Sequence, residues 1–337
     1  MFTMRRSSCP SRQEGGRRRP LSVRRHCLVE RLEDRCLLSG VTMLTHGHWG
    51  NAATGGWIDH MASAMAEEAI AAGMQDVAIY AMTVEDAGNG TLAVQTPIRE
   101  SGPASWEEAI IKVDWSELST GIFSSTPTGD VADAIAWYVL TQPIDNRLLV
   151  ESPIHLVGHS RGASLQSVLA GRLGQQGIWV DQLTTLDPHP VDGLGGDDFM
   201  NYGDAPMRVW PNIRFADNYW REDADPTDFD GEAIAGAFNR HLSEDILGEG
   251  VFPDVGFGAE HSDVHLWYHG TIDTTGPVDD GEVEIPITDD DGWYEGNMGP
   301  RDAIGFHFSR IAAGVRPSQG LAAAGAYRDP LSLTVAG

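Results

Sequence analysis

Beyond residue 40 the sequence alternates short, apolar, β-prone runs with segments of helical periodicity, and this alternation constrains the fold more than any other feature. The strand-like runs lie at 41–45, 77–82, 154–158, 182–186 and 209–217, and the helical patterns at 57–72, 129–140 and 161–173. Strands that alternate with helices of roughly 10–15 residues favour a parallel sheet covered on both faces. We therefore predict an α/β fold, in which Pro211 gives the last strand a bent or edge position.

Two long stretches show no clear element. Residues 83–128 contain weak apolar runs broken by glycine and proline, and we expect them to be irregular. Residues 218–258 mix acids with large apolar side chains, and insertions of this kind are often functional caps. They form either an amphipathic lid over a binding pocket or a static cap. The predicted organisation is a basic segment at 1–40, a domain at 41–315 that includes this cap, and a C-terminal tail at 316–337.

The 337-residue chain carries a formal charge of -26, which is divided unevenly. Residues 1–40 hold ten arginines and four acids, a net charge of +6, so residues 41–337 hold 13 basic and 45 acidic residues, a net charge of -32. A body this acidic repels phosphate backbones and anionic membrane surfaces. We therefore expect no nucleic-acid partner, and we expect any small-molecule or lipid partner to be neutral.

The basic segment holds all three cysteines, Cys9, Cys27 and Cys36, and lacks the apolar run of a secretory signal. No run in the chain approaches the roughly 18 apolar residues of a transmembrane helix. The stretch 29–39, VERLEDRCLLS, resembles the LEPR-x-LL type of N-terminal segment on exported or surface-associated bacterial proteins, with Asp34 at the proline position. The resemblance implies an exported or cell-surface protein. The alternatives are a disordered basic tail or an overcalled start codon, and with either of them the protein could be cytoplasmic.

The pentapeptide Gly158-His159-Ser160-Arg161-Gly162 fits the pattern G-x-S-x-G and lies between a predicted strand and a predicted helix. In that setting the serine is held on a sharp turn, and the glycines leave room for strand and helix to approach each other. The serine hydroxyl then projects beside a helix N-terminus, whose free N–H groups favour negative charge. The alternative is a plain glycine-rich turn with a serine that caps the helix.

With these features the sequence resembles the α/β-hydrolase superfamily, and within it the lipase-like members. The resemblance covers most of 41–275 and rests on the serine pentapeptide, on the HG-x loop His46-Gly47-His48 and on a histidine that precedes a late helix. It implies that the backbone N–H groups of His48 and Arg161 bind the oxyanion of a tetrahedral intermediate. We expect the His46 side chain to brace its loop.

A serine nucleophile needs a histidine base and an acid that orients it, and in this family both follow the serine along the chain. Asp187 directly follows the strand 182–186, within the sequence Leu-Asp-Pro that pancreatic-type lipases share at their acid. Asp217 is the competitor, because many members place the acid one strand later. We favour Asp187, and we expect the other aspartate to be a cap or a loop hydrogen-bond acceptor.

The chain order that the resemblance implies excludes every histidine before the serine as the base. His261 is the leading candidate, because it lies in a loop directly before Ser262 and a helical pattern, as in lipases. His265 lies one helical turn further on and faces roughly the same side, so it stays an alternative. We expect His269 and His307 to be surface or packing residues.

Metal binding has weaker support. Short runs of aspartate occur at 197–198, 223–225, 228–230, 279–280 and 289–291. None of them has the spacing of an EF-hand, so we expect a solvated acidic surface, with structural calcium as the minor alternative. The spacing of His261, Asp263 and His265 would allow them to act as metal ligands, but the domain has no cysteine ligand. We predict that no cofactor is required.

These features predict a serine hydrolase that cleaves small-molecule or lipid esters through an acyl-enzyme intermediate. Ser160 is the nucleophile, His261 the general acid and base, and Asp187 the orienting acid. The alternative is a non-catalytic, surface-displayed binding or adhesion domain on the same fold.

Overall fold

A computed structural model describes residues 40–48, 50–52, 56–121, 125–150, 153–193, 200–221, 230–242, 259–275, 278–281, 284–285, 293–294 and 301–322. They all belong to one unit of the chain, Leu37–Gly337. The stretch that resembles LEPR-x-LL lies outside the described residues. Within the described ranges, no helix has both the length and the apolar character that crossing a membrane requires.

The described elements alternate as the sequence predicts. The strands are β1 (Gly40–Thr45), β2 (Val77–Gly88), β3 (Thr91–Val94), β4 (Ile98–Ser101), β5 (Glu108–Asp114), β6 (Ile154–His159), β7 (Val180–Leu186), β8 (Ile213–Trp220), β9 (Phe238–His241), β10 (Val278–Asp279) and β11 (Glu284–Ile285). The α-helices are α1 (Trp57–Ala71), α2 (Ser116–Ser119), α3 (Thr128–Thr141), α4 (Arg161–Gln175) and α5 (Ala259–Gly270). Two 3₁₀ turns follow at Arg301–Ala303 and Gly305–Phe308.

A mostly parallel sheet of nine strands forms the centre of the domain. Its main path runs β3-β2-β5-β1-β6-β7-β8-β9, with β4 paired to β2. Every neighbouring pair from β2 to β9 along this path is parallel, whereas β3 and β4 run antiparallel to β2. The predicted fold class is confirmed in its architecture: the protein has an α/β fold with a mostly parallel central sheet.

Helices cover both faces of this sheet, because its buried strands are apolar on both sides. On β1, Met43 packs with α3 and α4, whereas the next residue, Leu44, packs with α1 and α5. Successive side chains of a strand point to opposite faces, so a doubly covered strand reads as a continuous apolar run. Each fully buried side chain of this size stabilises the fold by roughly 1.5–3 kcal/mol.

The expectation that residues 83–128 are irregular is wrong. β5 lies in this stretch and occupies a central place between β1 and β2. Its sequence, EAIIKVD, does not resemble a buried strand, because it contains Glu108 and Lys112. Both side chains are nevertheless buried in the structure. Glu108 accepts a hydrogen bond from the Thr42 hydroxyl, and Lys112 lies 2.7 Å from a Glu100 carboxylate oxygen.

Three predicted boundaries on the later part of the chain also change. The strand expected at 209–217 begins after Pro211, which lies in an exposed turn, and continues to Trp220. Residues 218–220 and 238–241 therefore belong to the sheet and not to a cap, whereas 222–229 and 243–258 lie outside the described residues. The start of the predicted tail also joins the sheet, because the Ala216 N–H donates to the Gly320 carbonyl at 3.0 Å.

Candidate active site

Ser160 occupies the turn between β6 and α4, as the pentapeptide predicts. Its backbone has φ 55° and ψ -130°, and the side chain makes no hydrogen bond to the helix it precedes. A serine with positive φ is strained, and such strain concentrates at functional sites. The alternative that Ser160 merely caps the helix is therefore not supported by its geometry.

The HG-x loop packs directly against this turn. A Cβ atom on Gly47 would lie 2.4 Å from the Ser160 Cβ, and one on Gly162 would lie 2.4 Å from the His46 carbonyl oxygen. His46 braces the loop, because its Nδ1 lies 2.8 Å from the Gly47 carbonyl and its Nε2 accepts the Trp115 backbone N–H at 3.1 Å. These two bonds assign the ring proton to Nδ1.

Asp187 follows β7 directly and is fully buried, with a φ of 43°. Its Oδ1 accepts the Arg221 backbone N–H at 2.8 Å, and its own N–H donates to the Tyr219 carbonyl at 2.7 Å. The other carboxylate oxygen, Oδ2, lies 2.6 Å from Nδ1 of His261. This short contact orients the imidazole.

His261 lies in the first turn of α5, where its side chain is buried. It is held beside the serine turn by His159, whose Nε2 lies 2.9 Å from the His261 carbonyl oxygen. The rings of His159 and His261 are 4.6 Å apart, centroid to centroid. The structure therefore places the leading acid and base candidates in contact with each other, and the base next to the residue that precedes Ser160.

The competing acid candidate has a different environment. Asp217 lies within β8 and is fully buried, and its carboxylate accepts hydrogen bonds from Thr184 Oγ1 at 2.8 Å and from the Tyr219 hydroxyl at 3.0 Å. Gln182 donates to the same carboxylate at 3.1 Å. Burial raises the pKa of Asp217 to about 6 despite these donors. Asp217 is thus part of a polar cluster inside the sheet.

The competing base candidate is also engaged elsewhere. His265 stacks on Trp57 with ring centroids 4.3 Å apart, and its Nδ1 lies 2.9 Å from a carboxylate oxygen of Asp280. Asp280 is buried, so the expectation of a solvated acidic surface at 279–280 is wrong for this residue. Among the residues that the structure describes, no group of three or more potential ligands is arranged to hold a metal ion.

The Arg161 side chain forms a buried hub that the sequence did not predict. Its Nε and Nη2 donate to the two carboxylate oxygens of Asp204 at 2.6 and 2.7 Å, and its Nη1 donates to Ser125 Oγ at 2.6 Å. Asp204 also accepts the backbone N–H groups of Thr128 and Val191, each at 3.0 Å. Three loops therefore converge on the residue that follows the serine. No local pattern could reveal these contacts between residues far apart in sequence.

His48, the other residue predicted for the oxyanion hole, is half-buried. Burial, together with the charge of Arg161, lowers the pKa of the His48 imidazole to about 4, so the ring is neutral at pH 7. The ring stacks on Tyr202 with centroids 5.4 Å apart, and the Arg161 guanidinium lies 4.8 Å from the centre of the same Tyr202 ring. Tyr202 thus contacts both residues whose backbone N–H groups are the oxyanion candidates.

No protein-family model matches the sequence, and no curated protein matches it. Solved structures resemble the fold at low similarity. A Lactobacillus plantarum WCFS1 protein assigned as a cell surface hydrolase is 12% identical with a TM-score of 0.35, over 69% of this chain and 90% of that one. The RedJ thioesterase of prodiginine biosynthesis in Streptomyces coelicolor is 13% identical with a TM-score of 0.33, over 67% and 88% of the two chains. The likeness is one of fold only.

Proposed function

We propose that this protein is a serine hydrolase that cleaves carboxylic esters, with Ser160 as nucleophile. The observation that carries the proposal is the 2.6 Å contact between Asp187 Oδ2 and His261 Nδ1. It lies beside a serine that is held at positive φ at the end of the neighbouring strand. A strained serine and an aspartate-histidine pair, in that chain order, are the parts that acyl transfer requires.

In the proposed reaction the Ser160 oxygen attacks the ester carbonyl carbon and transfers its proton to His261 Nε2. The buried Asp187 carboxylate stabilises the imidazolium that forms. The backbone N–H groups of His48 and Arg161 bind the negative oxygen of the tetrahedral intermediate. The intermediate collapses to an acyl-enzyme, and the leaving alkoxide takes the proton from His261. Water, deprotonated by the same histidine, attacks the acyl carbonyl carbon, and the Ser160 oxygen leaves and takes the proton from His261 as the acid is released.

The proposal extends to a lipase-like substrate class of neutral small-molecule or lipid esters. The support is the net charge of -32 on residues 41–337, which disfavours anionic substrates and surfaces. No metal or cofactor has a role in the proposed steps. Hydrolysis of neutral and anionic esters of equal acyl length tests this, and we expect kcat/KM to be larger for the neutral ester, most clearly at low salt.

Replacement of the nucleophile tests the proposed reaction. We expect Ser160→Ala to abolish both the hydrolysis of short p-nitrophenyl esters and covalent labelling by a fluorophosphonate. Ser167→Ala, on the same helix, is the matched control, because it removes a serine hydroxyl that is bonded to the Arg208 carbonyl, away from the site. Unchanged turnover by Ser160→Ala would refute the assignment. A folded wild-type protein that is neither labelled nor active would favour a binding or adhesion domain.

We also propose that residues 1–40 act as an address for export or surface display. The support is the net charge of +6 and the resemblance of 29–39 to LEPR-x-LL segments. Cell fractionation of the full chain, and of a chain with 29–39 replaced by glycine and serine, tests this. Equal distribution of the two chains would contradict it.

A further inference from the structure

His159 lies between Gly158 and the serine, at the variable position of the pentapeptide that the proposed reaction does not use. Its side chain is buried, and its Nε2 is 2.9 Å from the carbonyl oxygen of His261. A carbonyl oxygen can only accept, so the His159 Nε2 carries the proton and donates it. The residue next to the nucleophile therefore bonds the backbone of the base.

The His159 ring is fixed on three sides. It meets the Trp57 ring edge-on at 5.8 Å and the His265 ring edge-on at 5.0 Å, and it lies 4.6 Å from the His261 ring. Trp57 and His265 in turn stack on each other at 4.3 Å. Rotation of the His159 ring would break these packed contacts, so its Nε2–H stays directed at the His261 carbonyl.

The protonation state of His159 is also fixed. Burial, with the nearby His261 and His265, holds the pKa of the His159 imidazole well below its usual range. The ring is therefore neutral at working pH and has a single N–H. That proton is committed to the His261 carbonyl.

The His261 carbonyl belongs to the first turn of α5, so the bond from His159 acts on the backbone of the base and not on its side chain. Because His159 is the last residue of β6 and pairs in register with Leu186 of β7, its donor is rigidly tied to the strands that carry Ser160 and Asp187.

We propose that His159 is a positioning residue for the general base: its Nε2–H bond to the His261 carbonyl fixes the start of α5, so that His261 keeps Nδ1 on Asp187. The inference rests on the proposed function for its kinetic consequence, but the geometry it predicts can be measured without activity. His159 does not contact the reacting atoms in this scheme.

The test compares His159→Phe, which keeps a ring but loses the donor, with His159→Gln, which keeps an amide N–H close to the position of Nε2. We expect His159→Phe to lower kcat for p-nitrophenyl acetate by about 100-fold with little change in KM, because a displacement of the base by about 1 Å has that effect. We expect His159→Gln to recover most of the loss.

His155→Phe is the matched control. His155 is a buried histidine on the same strand, and its Nε2 is bonded to Thr184 Oγ1 instead of to the base. We expect this variant to lose a buried hydrogen bond and stability while it retains kcat. Equal losses of activity in His155→Phe and His159→Phe would show a general effect of strand damage and would overturn the inference.

A second readout is independent of turnover. The Nδ1 proton of His261, in its short bond to the Asp187 carboxylate, gives a far-downfield proton NMR resonance. We expect the resonance to broaden or disappear in His159→Phe and to return in His159→Gln. A sharp, unshifted resonance in His159→Phe would overturn the inference even in an inactive protein. An inactive wild type that shows the expected NMR changes would contradict only the proposed function.

Discussion

The buried carboxylate of Asp217 makes the free energy of unfolding depend on pH in a way that Asp217→Asn should remove. In the folded protein its pKa is raised from 3.8 to about 6, chiefly by burial. Between these two values the unfolded chain has lost the proton and the folded chain still holds it. Stability therefore falls as pH rises through this window. The loss is about 3 kcal/mol, at about 1.4 kcal/mol for each pKa unit.

The asparagine in Asp217→Asn cannot ionise, so the free energy of unfolding of this variant should not fall with pH in the same window. Its amide can be accommodated, because the hydroxyls of Thr184 and Tyr219 that donate to Asp217 can rotate and accept instead. We expect the variant to gain about 2 kcal/mol on the wild type between pH 4.5 and pH 8, since part of the window lies below pH 4.5. Urea unfolding of both proteins at several pH values measures this difference.

Asp133→Asn is the control, because Asp133 is about half exposed and pairs with Arg172 at the surface. We expect a change under about 1 kcal/mol at every pH. A constant difference between Asp217→Asn and the wild type across the pH range would refute the reasoning from burial. Asp217→Asn should also keep full ester hydrolysis. A loss of hydrolysis at unchanged stability would restore Asp217 as a candidate for the catalytic acid.

Three further predictions concern the site itself. Asp187→Asn should lower kcat by about 10⁴-fold, because the amide cannot stabilise the imidazolium. The rate of fluorophosphonate labelling gives a second measure, and a loss below about tenfold would contradict the role of Asp187 as the orienting acid. Gly47→Ala should fold but lose at least about tenfold in kcat/KM, because its Cβ would lie 2.4 Å from the Ser160 Cβ; circular dichroism checks the fold. Asp204→Ala should lower the free energy of unfolding by about 3–5 kcal/mol in urea, because it leaves the Arg161 charge buried without this carboxylate. A loss below about 1 kcal/mol would contradict the importance of the Arg161–Asp204 pair.

Local patterns in the sequence suffice to define the site candidates, whereas they miss one central strand of the sheet. The serine pentapeptide, the aspartate after β7 and His261 are each defined by neighbours a few residues away, although His261 lies in the first turn of α5 and not in a loop before the helix. β5 could not be recognised, because Glu108 and Lys112 resemble solvent-facing residues. Burial raises the pKa of Glu108 to about 8, so its carboxyl is protonated at neutral pH and accepts a hydrogen bond from the Thr42 hydroxyl. The Lys112 charge is paired with the carboxylates of Asp59 and Glu100.

The hub around Arg161 could not be predicted for a related reason. The arginine and Asp204 are far apart in sequence, and each is an ordinary charged residue in its own neighbourhood. Their pairing depends on contacts between the loops before α3, after β7 and before β8. The hydrophobic periodicity of the sequence does not predict such contacts between loops. The same holds for His159, whose partner is the backbone of a residue on α5.

The register of three parallel strands sets the relative positions of the nucleophile and acid candidates. Ser160 and Asp187 each lie one residue beyond a strand, and both have positive φ. The Ser160 N–H donates to the Leu186 carbonyl at 2.9 Å, and the Asp187 N–H donates to the Tyr219 carbonyl at 2.7 Å. Each strained residue is therefore held by a bond to the next strand in the sheet. Because a one-residue slip would break these bonds, the burial of β6, β7 and β8, which specifies their register, also specifies the geometry of the site.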